Sequence, residues 1–145
     1  MAFIKEHSAG YLANHMARLF ARQLQSRIRP LGLTVGAFPA LLELWEGDGL
    51  TQRELTERLD IEQATMANTL TRMERDGLIQ RGKDPSDGRI QRIRLTDKAR
   101  ALRAEAIAAA SEVNAAALAD LAEPERDRFI ELMERVIGGL QAKSG

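Results

Sequence analysis

The sequence predicts a mainly α-helical protein with one small β-hairpin, and three observations support that class. Apolar residues recur at helical spacing along most of the 145-residue chain. Period-two alternation is confined to Leu78-Ile79-Gln80-Arg81 and Ile90-Gln91-Arg92-Ile93-Arg94-Leu95. Between two of the helical stretches, Thr51-Gln52-Arg53-Glu54 spells a capping box, with Leu50 and Leu55 in the staple positions around it.

The elements follow in order. From Ser8 to Ile28, Leu12, Met16, Leu19, Phe20, Leu24 and Ile28 mark a first helix, which ends at Arg29-Pro30 because proline disfavours helix in the residue before it. Thr34 is an N-cap for a second helix through Leu41, Leu44 and Trp45, in which Pro39 predicts a slight kink. Gln52 to Leu59 forms a short third helix. Glu62 to Asp76 forms a fourth, with Met66, Leu70 and Met73 as its apolar stripe and Gly77 as its C-terminal stop. The hairpin surrounds a turn-rich tip, Gly82 to Arg89. Thr96 caps a long alanine-rich fifth helix, and Pro124, at the N1 position, opens a sixth carrying Phe129, Leu132, Met133, Val136, Ile137 and Leu140 on one face.

Composition excludes several functions. The chain has no cysteine, which removes disulfides, thiolate metal sites and cysteine nucleophiles. His7 and His15 are the only histidines, and no further metal-ligand set accompanies them, so neither a metal nor a cofactor is expected. Phosphate-cradling glycine loops, an HExxH pattern and a supported Ser/His/Asp order are all missing, and no enzyme is expected. No apolar run reaches the roughly 20 residues of a membrane span, and the polar start does not resemble a signal peptide, so the expected location is the cytoplasm.

The 21 basic and 21 acidic residues cancel, which argues against coating nucleic acid through bulk basicity. The distribution is uneven, however: net +4 over residues 1–30, −4 over 31–61, +2 over 62–95 and −2 over 96–145. A localised basic surface is therefore compatible with the zero.

Two short helices joined by a tight turn and followed by a basic hairpin are the order of elements in a winged helix-turn-helix. The fourth helix is then the one that enters a DNA groove. Opposite its apolar stripe lie Ala64, Asn68, Thr71, Arg72 and Arg75, with Thr65 on the flank and Gln63 in the first turn. Small residues admit the backbone close to base edges, Asn and Gln suit adenine, and Arg suits guanine. A solvated helix face would also accommodate these residues. On the hairpin, Asp87 can pair with Arg89 across Gly88 and hold a guanidinium extended for a narrow minor groove. Arg81, Lys83, Arg92 and Arg94 are candidate phosphate contacts, while Asp84 reads as a turn-former.

The chain resembles the MarR-type transcriptional regulators in Leu31-Gly32-Leu33-Thr34, Leu50 to Leu55, Arg72 to Ile79 and above all Asp84-Pro85-Ser86-Asp87-Gly88-Arg89 through Leu95-Thr96. Two positions depart from the family pattern: Ala99 replaces a frequent glycine, and Glu62 begins the recognition helix where Ser or Asp would cap better. The resemblance implies a homodimer bound to a pseudo-palindromic DNA operator, with residues 34–95 as the winged helix-turn-helix region and residues 8–29 and 97–141 as a helical dimerisation lobe. It implies DNA contacts at Gln63, Ala64, Thr65, Asn68, Thr71, Arg72, Asp87 and Arg89, to which the basic residues Arg75 and Lys83 add. It further implies repression relieved by a small aromatic or phenolic acid, for which Tyr11, His15, Phe38 and Trp45 are candidate contacts. Two readings of another kind stand beside it: a winged-helix module that binds protein, and a ligand-binding dimer without DNA affinity.

Overall fold

The computed structural model describes residues 2–144. It contains six helices, α1 (Ala9–Ile28), α2 (Phe38–Glu46), α3 (Gln52–Leu59), α4 (Gln63–Arg75), α5 (Asp97–Ala117) and α6 (Glu123–Ser144). Between α4 and α5 lie the strands β1 (Ile79–Lys83) and β2 (Gln91–Leu95). The predicted fold class is therefore the observed one. The chain divides into two compact units within α5, one running to Ala110 and the other starting at Ser111.

The first unit holds the apolar core. Ile28, Leu33, Leu41, Leu44, Leu55, Met66, Leu70, Met73, Leu78, Ile79, Ile93, Leu95, Ala99 and Ala106 form one buried cluster drawn from every element from α1 to α5. Complete burial of one such aliphatic side chain contributes about 1.5–3 kcal/mol, so α3 and α4 derive their stability from this packing more than from their short lengths. The capping box is formed in full: the Thr51 hydroxyl accepts from the Glu54 amide at 3.1 Å, and the Glu54 carboxylate accepts from the Thr51 amide at 3.1 Å. Asp60, at a φ of 53°, turns the chain between α3 and α4.

Three details differ from the sequence expectation. Thr34 caps a turn and not α2: the Ala37 amide donates to its carbonyl and hydroxyl oxygens at 3.2 and 3.3 Å, and the helix begins at Phe38. Pro39 consequently falls in the first turn, where no intrahelical donor is required, and not a full turn inside the helix. Pro124 likewise stands second in α6, after Glu123, while the Glu125 carboxylate accepts from the Ala122 amide at 2.8 Å.

The hairpin has a regular antiparallel register from Ile79 opposite Leu95 to Lys83 opposite Gln91. A third short segment joins it. The Gly49 amide donates to the Ile93 carbonyl at 3.1 Å and the Ile93 amide to the Leu50 carbonyl at 2.7 Å, so the loop between α2 and α3 lies along β2. Asp48 reinforces this seam, because its Oδ1 accepts from the Gly49 and Leu95 amides, both at 2.9 Å.

The second unit consists of the end of α5 and α6. Val113 is buried, but no residue of α6 is. Ile130, Leu132, Val136, Ile137 and Leu140 are all exposed. No helix among the described residues is long and apolar enough to cross a membrane, and none of their His, Asp or Glu side chains group as a metal set.

Candidate nucleic-acid interface

Helix α4 is fixed by one face and offers the other. Met66, Leu70 and Met73 are at most 1% exposed, which orients the helix and leaves Gln63, Ala64, Thr65, Asn68, Thr71, Arg72 and Arg75 in solvent. Glu62 occupies the N-cap without a side-chain cap hydrogen bond. Thr71 is partly engaged already: its hydroxyl donates to the Ala67 carbonyl at 2.9 Å and accepts from Arg81 Nη2 at 3.1 Å. A base edge could still meet its methyl group or its remaining lone pair. Arg75 carries Asp76 alongside, Nε to Oδ1 at 3.1 Å.

The hairpin tip presents the expected ion pair across Gly88. Arg89 Nε and Nη2 donate to the two oxygens of Asp87 at 3.1 and 3.2 Å, and the Arg89 amide also donates to Asp87 Oδ1 at 3.0 Å. The Arg89 side chain is nevertheless 90% exposed. Its hydrogen bonds hold the Asp87 carboxyl below the ordinary carboxylate range. The arrangement is an almost fully exposed guanidinium held through Nε and Nη2 by the Asp87 carboxylate, with Lys83 exposed at the end of β1.

The other hairpin arginines behave differently from the sequence expectation. Arg81 turns onto α4, donating to Thr71 and placing its Nε 3.7 Å from Glu74 Oε1. Arg92 turns inward too: Nε donates to Asp84 Oδ2, and Nη1 donates to the Gly49 carbonyl at 3.0 Å and lies 3.7 Å from Glu54 Oε1. Of the three strand arginines, Arg94 is exposed and Arg81 and Arg92 are half-buried. Arg81 and Arg92 thus join the hairpin to the helices, because the carboxylates of Glu74 and Glu54 and the Gly49 carbonyl lie within reach of their forks.

The four proposed ligand contacts fall into two ring pairs. Tyr11 and His15 meet edge-on on the exposed side of α1, centroids 6.3 Å apart, with the Lys5 ammonium 5.5 Å from the Tyr11 ring. Phe38 lies in the core and meets Trp45 at 6.1 Å, while Trp45 Nε1 donates to the Ala99 carbonyl at 3.0 Å. Trp45 also lines a cavity of about 280 Å³ with Leu44, Asp48, Leu95, Arg100 and Arg103.

Residues 33–91, which span the turn before α2 through the wing, match the model of the MarR family. Matches to solved structures extend this over nearly the whole chain. The PcaV transcriptional regulator of Streptomyces coelicolor, solved with its natural ligand, superposes with a TM-score of 0.84 at 28% identity, covering 95% of this chain and 97% of that one. The chain belongs to the MarR family. A probable transcriptional regulator of Pseudomonas aeruginosa is similar at 31% identity and a TM-score of 0.82, over 90% and 98% of the two chains. The HTH-type transcriptional repressor Rv2887 of Mycobacterium tuberculosis is 28% identical over 94% of this chain and 98% of its own length. MarR proteins are DNA-binding transcriptional regulators and not enzymes, and this member carries the winged helix-turn-helix accordingly.

Asp48, Asp84 and Arg92 act as joints of this winged unit, and their one legible signal is that Asp84 and Arg92 flank the turn-rich tip, Asp84 just beyond β1 and Arg92 within β2. Ala99, one of the two positions where a departure from the family pattern is noted, is only 1% exposed, and its carbonyl accepts from Trp45 Nε1.

Proposed function

We propose that this chain acts as a homodimeric repressor that binds a pseudo-palindromic operator and is released by a small aromatic or phenolic acid. The observation that carries the proposal is the pairing, within one unit, of an exposed, carboxylate-gripped Arg89 with an α4 face of small, amide and guanidinium side chains. In this reading Gln63, Ala64, Thr65, Asn68, Thr71 and Arg72 approach base edges in the major groove, Arg75 and Lys83 contact phosphate, and Arg89, held by Asp87, enters the flanking minor groove. A protein-docking module has no need of a projecting, pre-oriented arginine.

Residues 34–95 are the DNA-binding region, and residues 8–29 and 97–141 provide the dimer lobe. Apolar side chains left exposed on α1 and α6, among them Leu12, Leu19, Val136, Ile137 and Leu140, support a second copy as their cover. The repressor name of the mycobacterial relative supports the sign of regulation, and the ligand complex of PcaV supports a small-molecule response. Tyr11, His15, Phe38 and Trp45 are the proposed ligand contacts, and Arg103 in the cavity beside Trp45 would offer a carboxylate its counter-charge, Arg100 there being paired with Asp48 and Asp97. A ligand acts here only through unequal affinity for the DNA-competent and incompetent states. Selection of bound duplexes from a random pool tests the reading. A palindromic consensus is expected, and no enrichment, or enrichment of a single unrepeated half-site, would overturn it.

A further inference from the structure

We propose that Arg92 is a positioning residue for the wing, tying the root of the hairpin tip to the loop that enters α3 and so fixing the direction in which Arg89 leaves the protein. The inference rests on the reading of Arg89 as a minor-groove contact. Its argument begins with the mechanics of the hairpin. Two strands of five residues cannot by themselves hold a long tip in place, since an isolated hairpin is marginal in water.

Arg92 supplies the missing constraint through a continuous line of polar contacts. At one end, Glu54 belongs to the capping box of α3 and the Gly49 carbonyl to the loop before it; Arg92 Nη1 reaches both, at 3.7 and 3.0 Å. At the other end, Arg92 Nε donates to Asp84 Oδ2. The second oxygen of Asp84 accepts from the Ser86 and Asp87 amides at 2.7 and 3.1 Å, so the same carboxylate shapes the turn that carries Asp87. Asp87 in turn holds Arg89. The Asp84 side chain is 12% exposed and that of Arg92 32%, which shields this pair more than the open Arg89–Asp87 pair. A planar fork satisfies two acceptors in different directions; an ammonium lacks that fixed geometry.

A double-mutant cycle in the full chain tests this, using R89A, R92Q and their combination on the duplex selected from the random pool. R92Q is expected to weaken binding about tenfold and to lose hydroxyl-radical protection of the flanking minor groove, while keeping the base preferences of the α4 positions. Added to R89A it should weaken binding no further and leave the slope of log affinity against log salt unchanged. D84N, which cuts the same link from the wing side, should reproduce R92Q, and R92K should not restore flank protection. A double variant as weak as the two single losses multiplied, or a slope lowered by a further ~0.9 on removing Arg92, would overturn the positioning role, the latter by showing that Arg92 neutralises a phosphate itself. Unchanged affinity and footprint in R89A would instead overturn the wing reading on which the proposal stands.

Discussion

Asp84 and Asp87 stand three residues apart with different duties, and their surroundings explain why. Asp87 grips a guanidinium that is almost entirely in solvent, and exposed pairs of that kind contribute only about 0–1 kcal/mol to stability. Replacing Arg89 by Ala should therefore leave the melting temperature nearly unchanged while weakening operator affinity and lowering the salt slope by about 0.9, the value for one released counterion. Wild-type affinity and slope in a binding titration across salt concentrations would refute this. Asp84 is held below its ordinary range first by the Arg92 hydrogen bond and then by the Ser86 amide. A carboxyl whose folded value lies below its unfolded value contributes stability that is complete above about pH 4 and is lost as pH falls through the lower folded value. Glu54, lowered chiefly by the Thr51 amide, behaves in the same sense. Melts recorded downward from about pH 6 should thus show an acid limb that is shallower in D84N than in wild type; parallel limbs would sever Asp84 from the acid sensitivity. The Asp87–Arg89 pair was legible because its members lie two apart across a glycine. The Asp84–Arg92 pair was not, since strand alternation alone does not reveal which arginine meets a helix and which meets solvent.

At the level of elements, local chemistry and tertiary packing explain different parts of the structure. The α3 capping box and the α4 stripe were both readable, because each is written in contiguous residues with one geometric solution. The start of α2 differs from the sequence expectation because Thr34 satisfies a turn that looks, in sequence, like a helix cap. The strand-like seam at Gly49-Leu50 left no periodic trace, being too short to alternate; it depends on β2 offering Ile93. Gly49 sits there at a φ of 81°, so the seam requires glycine for its conformation, whereas the nearest atom a Cβ would meet, Arg94 Nη1 at 2.9 Å, is the end of a flexible side chain that can move aside. The start of α4 is the locally suboptimal element. Glu62 caps no amide, and Ser at that position can accept from the first-turn N–H groups. Glu62→Ser should stabilise the fold by about 1 kcal/mol, read as a raised denaturation midpoint with an unchanged slope. A midpoint at or below wild type would show that the carboxylate already serves the helix through its charge.

For the whole molecule, the exact balance of 21 basic and 21 acidic residues carries a consequence for specificity. A protein without a net positive field gains little from non-specific attraction to duplex DNA, and its affinity then depends on aligned local contacts. One recognition helix and one wing give few of them; two copies on a symmetric site double the contacts without a second loss of translational freedom. In the proposed dimer, association would supply the affinity that net charge does not. The exposed α6 side chains Val136 and Leu140, 61% and 59% accessible, are the places to test this. Glutamates at both positions should yield a monomer by sedimentation while the first unit, whose buried cluster contains no residue of α6, keeps its fold. The operator affinity of that variant should fall to about its level on unrelated duplex, where the wild type discriminates by at least ~10³. A dimer that survives both substitutions would place the interface elsewhere, and a monomer that still selects the full palindrome would show that the winged units read DNA independently.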